Sequence, residues 1–253
     1  MFRNVGFLDP ASGADFQRAL APHAAELALA NQVNACAMRE LWKLEIPTSQ
    51  KHLAVGGMLY VRAVRSYQAA YLLLERGMCV ESMASMRVII ECVILMAKLR
   101  VDPEYAEILE AEQERHRISH AAKMVAFRDR LSTGVATKMI ELATQPVPSR
   151  GQSLESIAVE VGLEVLYQSM YRGVSGYAAH ATLGALERSL KVIDGLPEMT
   201  FSQDAHLVDE VLSHLVPLGI DALNQLGSLF QMGKLSDDVM RLSTEWQALA
   251  RSA

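Results

Sequence analysis

The chain has 253 residues, of which 51% are hydrophobic and only 6% aromatic, and it carries a formal net charge of −5. The negative charge argues against a protein that holds nucleic acid through bulk electrostatics, although it does not exclude a local basic pocket. The longest uncharged stretches, such as residues 222–233, have about a dozen residues, whereas a membrane-spanning helix needs about 20, so we expect no transmembrane helix.

Two features of the sequence indicate a reduced, intracellular protein. Residues 1–13 lack the apolar segment and the small-residue cleavage site of a signal peptide, so we expect the chain in the cytoplasm. The three cysteines, Cys36, Cys79 and Cys92, lie far apart and form no CxxC pair. This spacing favours reduced thiols in the core over a disulfide framework or a zinc site.

In the first half of the chain, apolar residues recur at helical spacing on both sides of Gly77. Because no room is left for a long loop, residues 50–76 and 78–100 are predicted to form an antiparallel helical hairpin. A polar helix is predicted next, from Asp102 to about Thr144.

The second half of the chain continues the helical pattern after a break. Residues 145–151 contain two prolines and a glycine and are predicted to be a loop within one domain. Apolar helical spacing then extends over residues 154–193. Two further helices are predicted at about residues 203–231 and 236–251, with a kink or an interruption at Pro217 in the first.

The predicted fold class is all-α, an antiparallel bundle of seven to eight helices in a single domain that spans residues 1–253. The core bundle is expected at about residues 50–195. An N-terminal helix and two C-terminal helices are expected to pack on it. Abundant alanine, leucine and methionine agree with this prediction, because these residues favour helices.

Most catalytic and cofactor signatures do not occur in the sequence. It has no Gly-rich phosphate loop, no HExxH motif, no GxSxG motif and no Glu-x-x-His pair of the di-iron bundles. Two sets of residues at four-residue steps could each supply metal ligands, although a solvated helix face is the ordinary explanation: Glu112, His116 and His120, and His206, Glu210 and His214. We therefore expect neither a metal nor another cofactor.

Arg87 and Glu91 form a charged pair in an otherwise apolar predicted helix, one turn apart. If the pair is exposed, it is an ordinary intrahelical ion pair that contributes a few tenths of a kcal/mol. If it is buried, it orders a polar pocket, and removal of either residue strands a charge. The sequence leaves both interpretations open.

A second polar cluster follows, in which functional side chains alternate with small residues: Tyr167, Tyr171, Arg172, Ser175, Tyr177 and His180. Gly173 and Gly176 weaken the helix and suggest close packing or a local break. In a continuous helix, Arg172 and His180 would lie about 12 Å apart along the axis. The alternative is that His180 is a packing residue and Arg172 a surface residue.

The helical hairpin and the segment around Tyr171, Ser175 and His180 resemble a bacterial helical family of unknown function, DUF5677-like, over about residues 50–195. That family is in turn distantly similar to the HEPN superfamily of helical nucleotide-binding proteins, many of which are metal-independent ribonucleases of toxin–antitoxin and phage-defence systems. The resemblance implies a HEPN-like bundle. It also implies Arg172 on the scissile phosphate and His180 on the reacting hydroxyl or leaving group, although more residues separate the two here than is typical of HEPN ribonucleases.

Three functions follow as expectations. In the first, an endoribonuclease or toxin without metal, Arg172 and His180 are catalytic, and the supporting residues are Arg65, Arg87, Glu91, Tyr171 and Ser175. In the second, a non-catalytic module binds a nucleotide, another ligand or a protein in the same polar pocket. In the third, the chain is a metal-dependent helical enzyme. We expect a homodimer, RNA or a nucleotide as partner or a protein partner such as an antitoxin, and no membrane.

Overall fold

The structure is a computed structural model, and it describes residues 6–9, 12–47, 49–179, 183–186, 190–193 and 195–252. In this part of the chain the predicted all-α bundle is confirmed. The helices are α1 (Ser12–Leu20), α2 (Ala24–Leu41), α3 (Lys51–Glu75), α4 (Cys79–Val101), α5 (Tyr105–Val125), α6 (Thr133–Ala143), α7 (Leu154–Glu160), α8 (residues 164–179), α9 (Leu183–Leu186), α10 (Val208–Leu229) and α11 (Gly233–Ser252). Short 3₁₀ turns occur at Gly6–Leu8, Ala21–His23, Arg128–Arg130 and Ala205–Leu207.

Helix α4 lies at the centre of the bundle, where it packs against α3, α10, α7 and α8. Its sequence is apolar on nearly every side, which is typical of a helix surrounded by other helices. Between Ser82 and Leu99, partial exposure is confined to one stripe: Ala84, Ser85, Arg87, Val88, Glu91 and Leu95. This stripe is where α4 can meet a ligand or a partner.

The predicted hairpin of α3 and α4 is confirmed, and Gly77 explains its tight turn. Gly77 has φ +76°, a backbone conformation that other residues rarely adopt. A Cβ at this position would lie 2.8 Å from the Cβ of Gln203 and 2.9 Å from the Cδ2 of Phe16. The turn therefore requires glycine for both its backbone angle and its close packing.

Helices α2, α3 and α10 are joined by close contacts in the core. The buried hydroxyl of Tyr67 in α3 donates to the carbonyl oxygen of Ala30 in α2 at 3.0 Å. Gly219 of α10 faces the same tyrosine, and a Cβ there would lie 2.5 Å from both the Tyr67 ring and Val33. Pro217 lies within α10, which continues through it from Val208 to Leu229 rather than being interrupted.

The long polar helix predicted from Asp102 to Thr144 is instead two helices. Asp102 ends α4 rather than starting the next helix, and α5 begins at Tyr105. Residues 126–132 then separate α5 from α6, and they include a 3₁₀ turn at Arg128–Arg130. The two helices pack against each other, and Ile118 and Ala121 of α5 are buried.

A small β-hairpin replaces the end of the helix predicted over residues 154–193. Strand β1 (Leu190–Ile193) pairs antiparallel with β2 (Leu196–Met199). Its sequence includes the β-branched pair Val192 and Ile193, which favours a strand. Gly195, with φ +76°, supplies the turn between the strands.

The prediction of reduced core thiols is confirmed. Cys36, Cys79 and Cys92 are buried and form no disulfide. Burial raises the pKa of Cys79 and of Cys92 to about 12, so both remain protonated thiols. Across the described helices, none combines the length and the apolar character needed to span a bilayer.

Candidate functional site

Helix α8 brings Tyr171 onto the charged pair of α4. The Tyr171 hydroxyl accepts hydrogen bonds from Arg87 Nε at 3.2 Å and Arg87 Nη2 at 2.9 Å, and it donates to Glu91 Oε1 at 2.9 Å. Arg87 Nε also donates to Glu91 Oε1 at 3.1 Å. The three side chains are thus joined in one network, which we call the Arg87–Glu91–Tyr171 triad.

The triad is neither fully buried nor an ordinary surface ion pair. The side chains of Arg87 and Glu91 are 28% and 35% exposed. Burial alone would lower the pKa of Arg87, but the hydrogen bond with Tyr171 and the charge of Glu91 outweigh it and raise that pKa. Burial, followed by the hydrogen bond to Glu91, raises the pKa of Tyr171. At neutral pH the triad therefore holds a guanidinium and a protonated phenol beside the partly exposed side chain of Glu91.

Two π-helical segments in α8 set the direction of its side chains. They span Tyr167–Tyr171 and Ser175–Ala179, and the α-helical residues Arg172–Val174 separate them. A π-bulge changes which side chains share a helix face, and such bulges occur frequently at functional sites. Here the rings of Tyr167 and Tyr171 stack with centroids 5.0 Å apart and an angle of 21°. The half-buried Tyr167 thereby adds an aromatic surface beside the triad.

Ser175 lies one turn beyond Tyr171 on α8. Its hydroxyl oxygen is buried and has no hydrogen-bond partner among the described residues. A buried polar group without a partner costs about 1–3 kcal/mol, so it calls for an explanation such as a bound molecule. Ser175 does not hydrogen-bond the triad, so its predicted place in the same pocket stays a prediction.

The family comparison covers this part of the chain. Residues 53–195, more than half of the protein, match the model of DUF5677, a family of unknown function. The chain belongs to the DUF5677 family. No curated protein and no solved structure matches the chain. The matched segment of DUF5677 contains the triad and all of α8, and the predicted likeness to the HEPN superfamily stays a prediction.

Of the two predicted catalytic residues in the DUF5677 segment, the structure describes Arg172 but not His180. Arg172 is on α8 with its side chain 62% exposed, where its Nη1 donates to Gln168 at 3.3 Å and lies 3.9 Å from Glu155. It points to the outer surface of α8 and not to the triad. His180 lies outside the described residues, so the predicted pairing of Arg172 with His180 stays a prediction.

Arg65, predicted to support the same pocket, lies on the other side of the exposed stripe of α4. With Arg62 it lines an open groove between α3 and α4 that has a volume of about 700 Å³ and also includes Val88 of the stripe. The structure therefore describes two adjacent surfaces in the DUF5677 segment, the triad on the α8 side and this groove on the α3 side.

A second ion cluster in the DUF5677 segment was not found from the sequence. Lys98, in the last turns of α4, is only 5% exposed, and its Nζ lies 2.6 Å from Glu160 and 3.0 Å from Asp102. It also lies 5.1 Å from the centroid of the Tyr105 ring. Burial alone would lower the pKa of Lys98, but the two carboxylates outweigh it and raise that pKa. In the sequence, this cluster was indicated by a single lysine, Lys98, within a predominantly apolar segment.

Outside the DUF5677 segment, the described residues contain one group of three side chains spaced for a metal, Cys36, Glu40 and Asp238. Arg39 already donates to Glu40 at 2.6 Å and to Asp238 at 2.5 Å, and Lys43 to Glu40 at 3.0 Å. These cations neutralise the carboxylates, and burial raises the pKa of the Cys36 thiol. The cluster therefore joins α2 to α11 through ion pairs. Neither predicted histidine set forms such a group in the described part of the chain.

Proposed function

We propose that this DUF5677 protein binds a nucleotide or single-stranded RNA at the junction of α4 and α8. The observation that carries the proposal is the partly exposed Arg87, held in place by Tyr171 and Glu91 beside the stacked ring of Tyr167. An oriented guanidinium recognises phosphate oxygens, and an aromatic ring accepts a stacked base. A group that binds phosphate and a ring that stacks on a base, both of which a nucleotide requires, thus lie side by side.

The net charge of −5 is compatible with such a site. A single positioned arginine and a stacking surface bind through local contacts, whereas bulk electrostatic binding requires many basic residues. The partial exposure of Arg87 leaves its guanidinium within reach of such a ligand.

Cleavage of RNA is a second proposed activity, favoured by the exposure of Arg172 on the same helix. It would proceed by acid–base and electrostatic catalysis without a metal, with His180 as the proton-transfer group. A role in phage defence or in a toxin–antitoxin pair would follow from that activity. We place binding first because Arg172 and the triad face different sides of α8.

The proposal is tested by fluorescence anisotropy of a labelled short single-stranded RNA, with AMP as competitor. We expect Arg87→Ala and Tyr167→Ala each to weaken binding by about tenfold or more, because each removes a direct ligand contact. The matched control is Arg117→Ala, which removes an exposed arginine that is ion-paired with Glu114 on α5. It should bind as the wild type does.

Failure of the wild-type protein to bind RNA or AMP would contradict the proposal, as would unchanged binding by Arg87→Ala. The same RNA incubated in EDTA tests the second activity. Cleavage that survives EDTA and disappears in both Arg172→Ala and His180→Ala would establish a metal-independent ribonuclease. Binding without cleavage would establish the non-catalytic function alone.

A further inference from the structure

The outer face of α3 carries an exposed stripe that no other described element covers. Its residues recur at spacings of three and four: Met58, Val61, Arg62, Arg65, Ala69 and Leu72. Met58 and Leu72 are 64% and 61% exposed, and they lie on the same helix face. A stripe with this spacing is the surface on which a second helix packs.

The stripe forms one wall of the groove between α3 and α4. The groove extends from Met58 to Ala69, about 16 Å along the helix axis, or about three helical turns. Val88 of α4 lies on the opposite wall, and serine side chains complete the lining. Among the described residues, this lining includes no acidic and no aromatic side chain. The groove therefore combines apolar side chains with polar ones and is positively charged in its middle.

Arg62 and Arg65 set the charge of the groove. Arg39, Arg87 and Arg241 each bind a carboxylate of this chain. Neither Arg62 nor Arg65 forms an ion pair or a hydrogen bond with any part of the chain that the structure describes. In a protein with more acidic than basic residues, two adjacent arginines without acidic partners are available to an acidic molecule.

We propose that this groove binds an acidic amphipathic helix of another protein. Leucine-like side chains of that helix would cover Met58, Val61 and Val88, and its carboxylates would pair with Arg62 and Arg65. Three turns of such a helix match the length of the groove. The inference goes beyond the proposed nucleotide site, which lies on the adjacent α8 side of the exposed stripe of α4, and neither depends on the other.

Two other occupants fit the groove less well. A second copy of this chain related by a two-fold axis would place Arg65 against Arg65 of its partner, and like charges in contact oppose association. Single-stranded nucleic acid binds through aromatic side chains that stack on its bases, and the groove lining has none. A helix that supplies both apolar and acidic side chains meets both features of the groove.

The test uses the full-length chain and a labelled synthetic helical peptide with leucines at spacings of three and four and glutamates beside them. Two control peptides have lysine in place of glutamate, or the same composition in scrambled order. We expect the acidic amphipathic peptide alone to bind. The double variant Arg62→Glu/Arg65→Glu should weaken its binding by about tenfold or more.

The matched control is the double variant Arg100→Glu/Arg150→Glu, which makes the same charge change at two exposed arginines away from the groove. It should bind the peptide as the wild type does. Ala69→Trp fills the groove without changing its charge, and it should also abolish binding. Circular dichroism of each variant verifies that the bundle is folded.

Equal binding of the acidic and lysine peptides would overturn the proposal, and so would undiminished binding by Arg62→Glu/Arg65→Glu. Two further results would assign the groove to another occupant. RNA binding that is lost in this double variant, without peptide binding, would assign it to nucleic acid. Self-association in sedimentation that is lost in this variant, without peptide binding, would assign it to a second copy.

Discussion

On the side that faces α7 and α8, helix α4 carries two cations, Lys98 and Arg87, which differ in their exposure to solvent. Lys98 is 5% exposed and binds Asp102 and Glu160, whereas Arg87 is 28% exposed and binds Glu91 and Tyr171. Both networks join α4 to the segment that follows the loop at residues 145–151. The buried cation is enclosed by its own chain, while the exposed one also faces outward, where a ligand can reach it.

The difference in exposure predicts a difference in energetic role. A charge taken out of water depends on its partners, so removal of one member of a buried pair is strongly destabilising. A partly hydrated pair contributes little, because water replaces the lost partner. We therefore expect Lys98 to stabilise the fold and Arg87 to serve binding.

The largest expected effect is on Lys98. Lys98→Ala should lower the free energy of unfolding by about 3 kcal/mol, because it empties a buried site in the packed centre of the bundle, whereas Asp102 and Glu160 are 36% and 41% exposed and stay hydrated. Urea denaturation of the variant and the wild type measures this change. A loss below about 1 kcal/mol would show that Lys98 does not differ from a surface ion pair.

A third ionisable group extends the comparison, since Asp221 in α10 is largely buried and binds no cation within the described residues. Burial raises its pKa to about 6. Because the folded state then holds a proton that the unfolded state releases, the free energy of unfolding should fall as pH rises from about 4 to 6. Asp221→Asn should therefore stabilise the protein by about 2 kcal/mol at pH 7 and leave it nearly unchanged at pH 4.

Denaturation of Asp221→Asn at both pH values decides this prediction. Equal stabilisation at the two pH values would mean that the effect does not arise from the charge of Asp221. Destabilisation at pH 7 would mean that the ionised carboxylate has a partner that the substitution removes.

A smaller effect is expected at Arg87. Arg87→Ala should lower the free energy of unfolding by about 1 kcal/mol, because Glu91 remains partly hydrated. Denaturation alongside Lys98→Ala gives the two values under one condition. If Arg87→Ala proves as destabilising as Lys98→Ala, the triad is a structural network and the comparison fails.

The smallest effect is expected at Arg172, whose side chain is mostly in water. Arg172→Ala should change the free energy of unfolding by less than about 0.5 kcal/mol. Its binding of single-stranded RNA should remain within about twofold of the wild type if the triad is the site. A large loss of RNA affinity would instead move the binding site to the outer surface of α8.

The sequence predicted the parts of the structure that depend on local spacing. The hairpin at Gly77 was predicted because apolar residues recur at helical spacing on both sides of this glycine and leave no room for a long loop between the two helices. The structure confirms it. Arg87 and Glu91 were identified because charged side chains in an otherwise apolar helix indicate a structural or functional role. Tyr171 was placed with them as a candidate, and the triad now gives the physical contact.

Other features depend on contacts between distant residues and could not be read from spacing. The two π-helical segments of α8 change the faces on which its side chains lie, whereas the predicted spacing of Arg172 and His180 applied to a continuous α-helix. Lys98 pairs with Asp102 only four residues away, but its other partner, Glu160, comes from α7, 62 residues along the chain. The separation of Arg65 from the triad depends on how α3 packs beside α4.

The most direct test of the central claim is to photo-cross-link a single-stranded RNA containing 4-thiouridine to the wild-type protein and identify the modified residue by mass spectrometry. We predict a cross-link at Tyr167 or Tyr171, lost when unlabelled AMP is added in excess. A cross-link confined to α3, or to any element other than α4 and α8, would contradict the assignment of the triad as the nucleotide site.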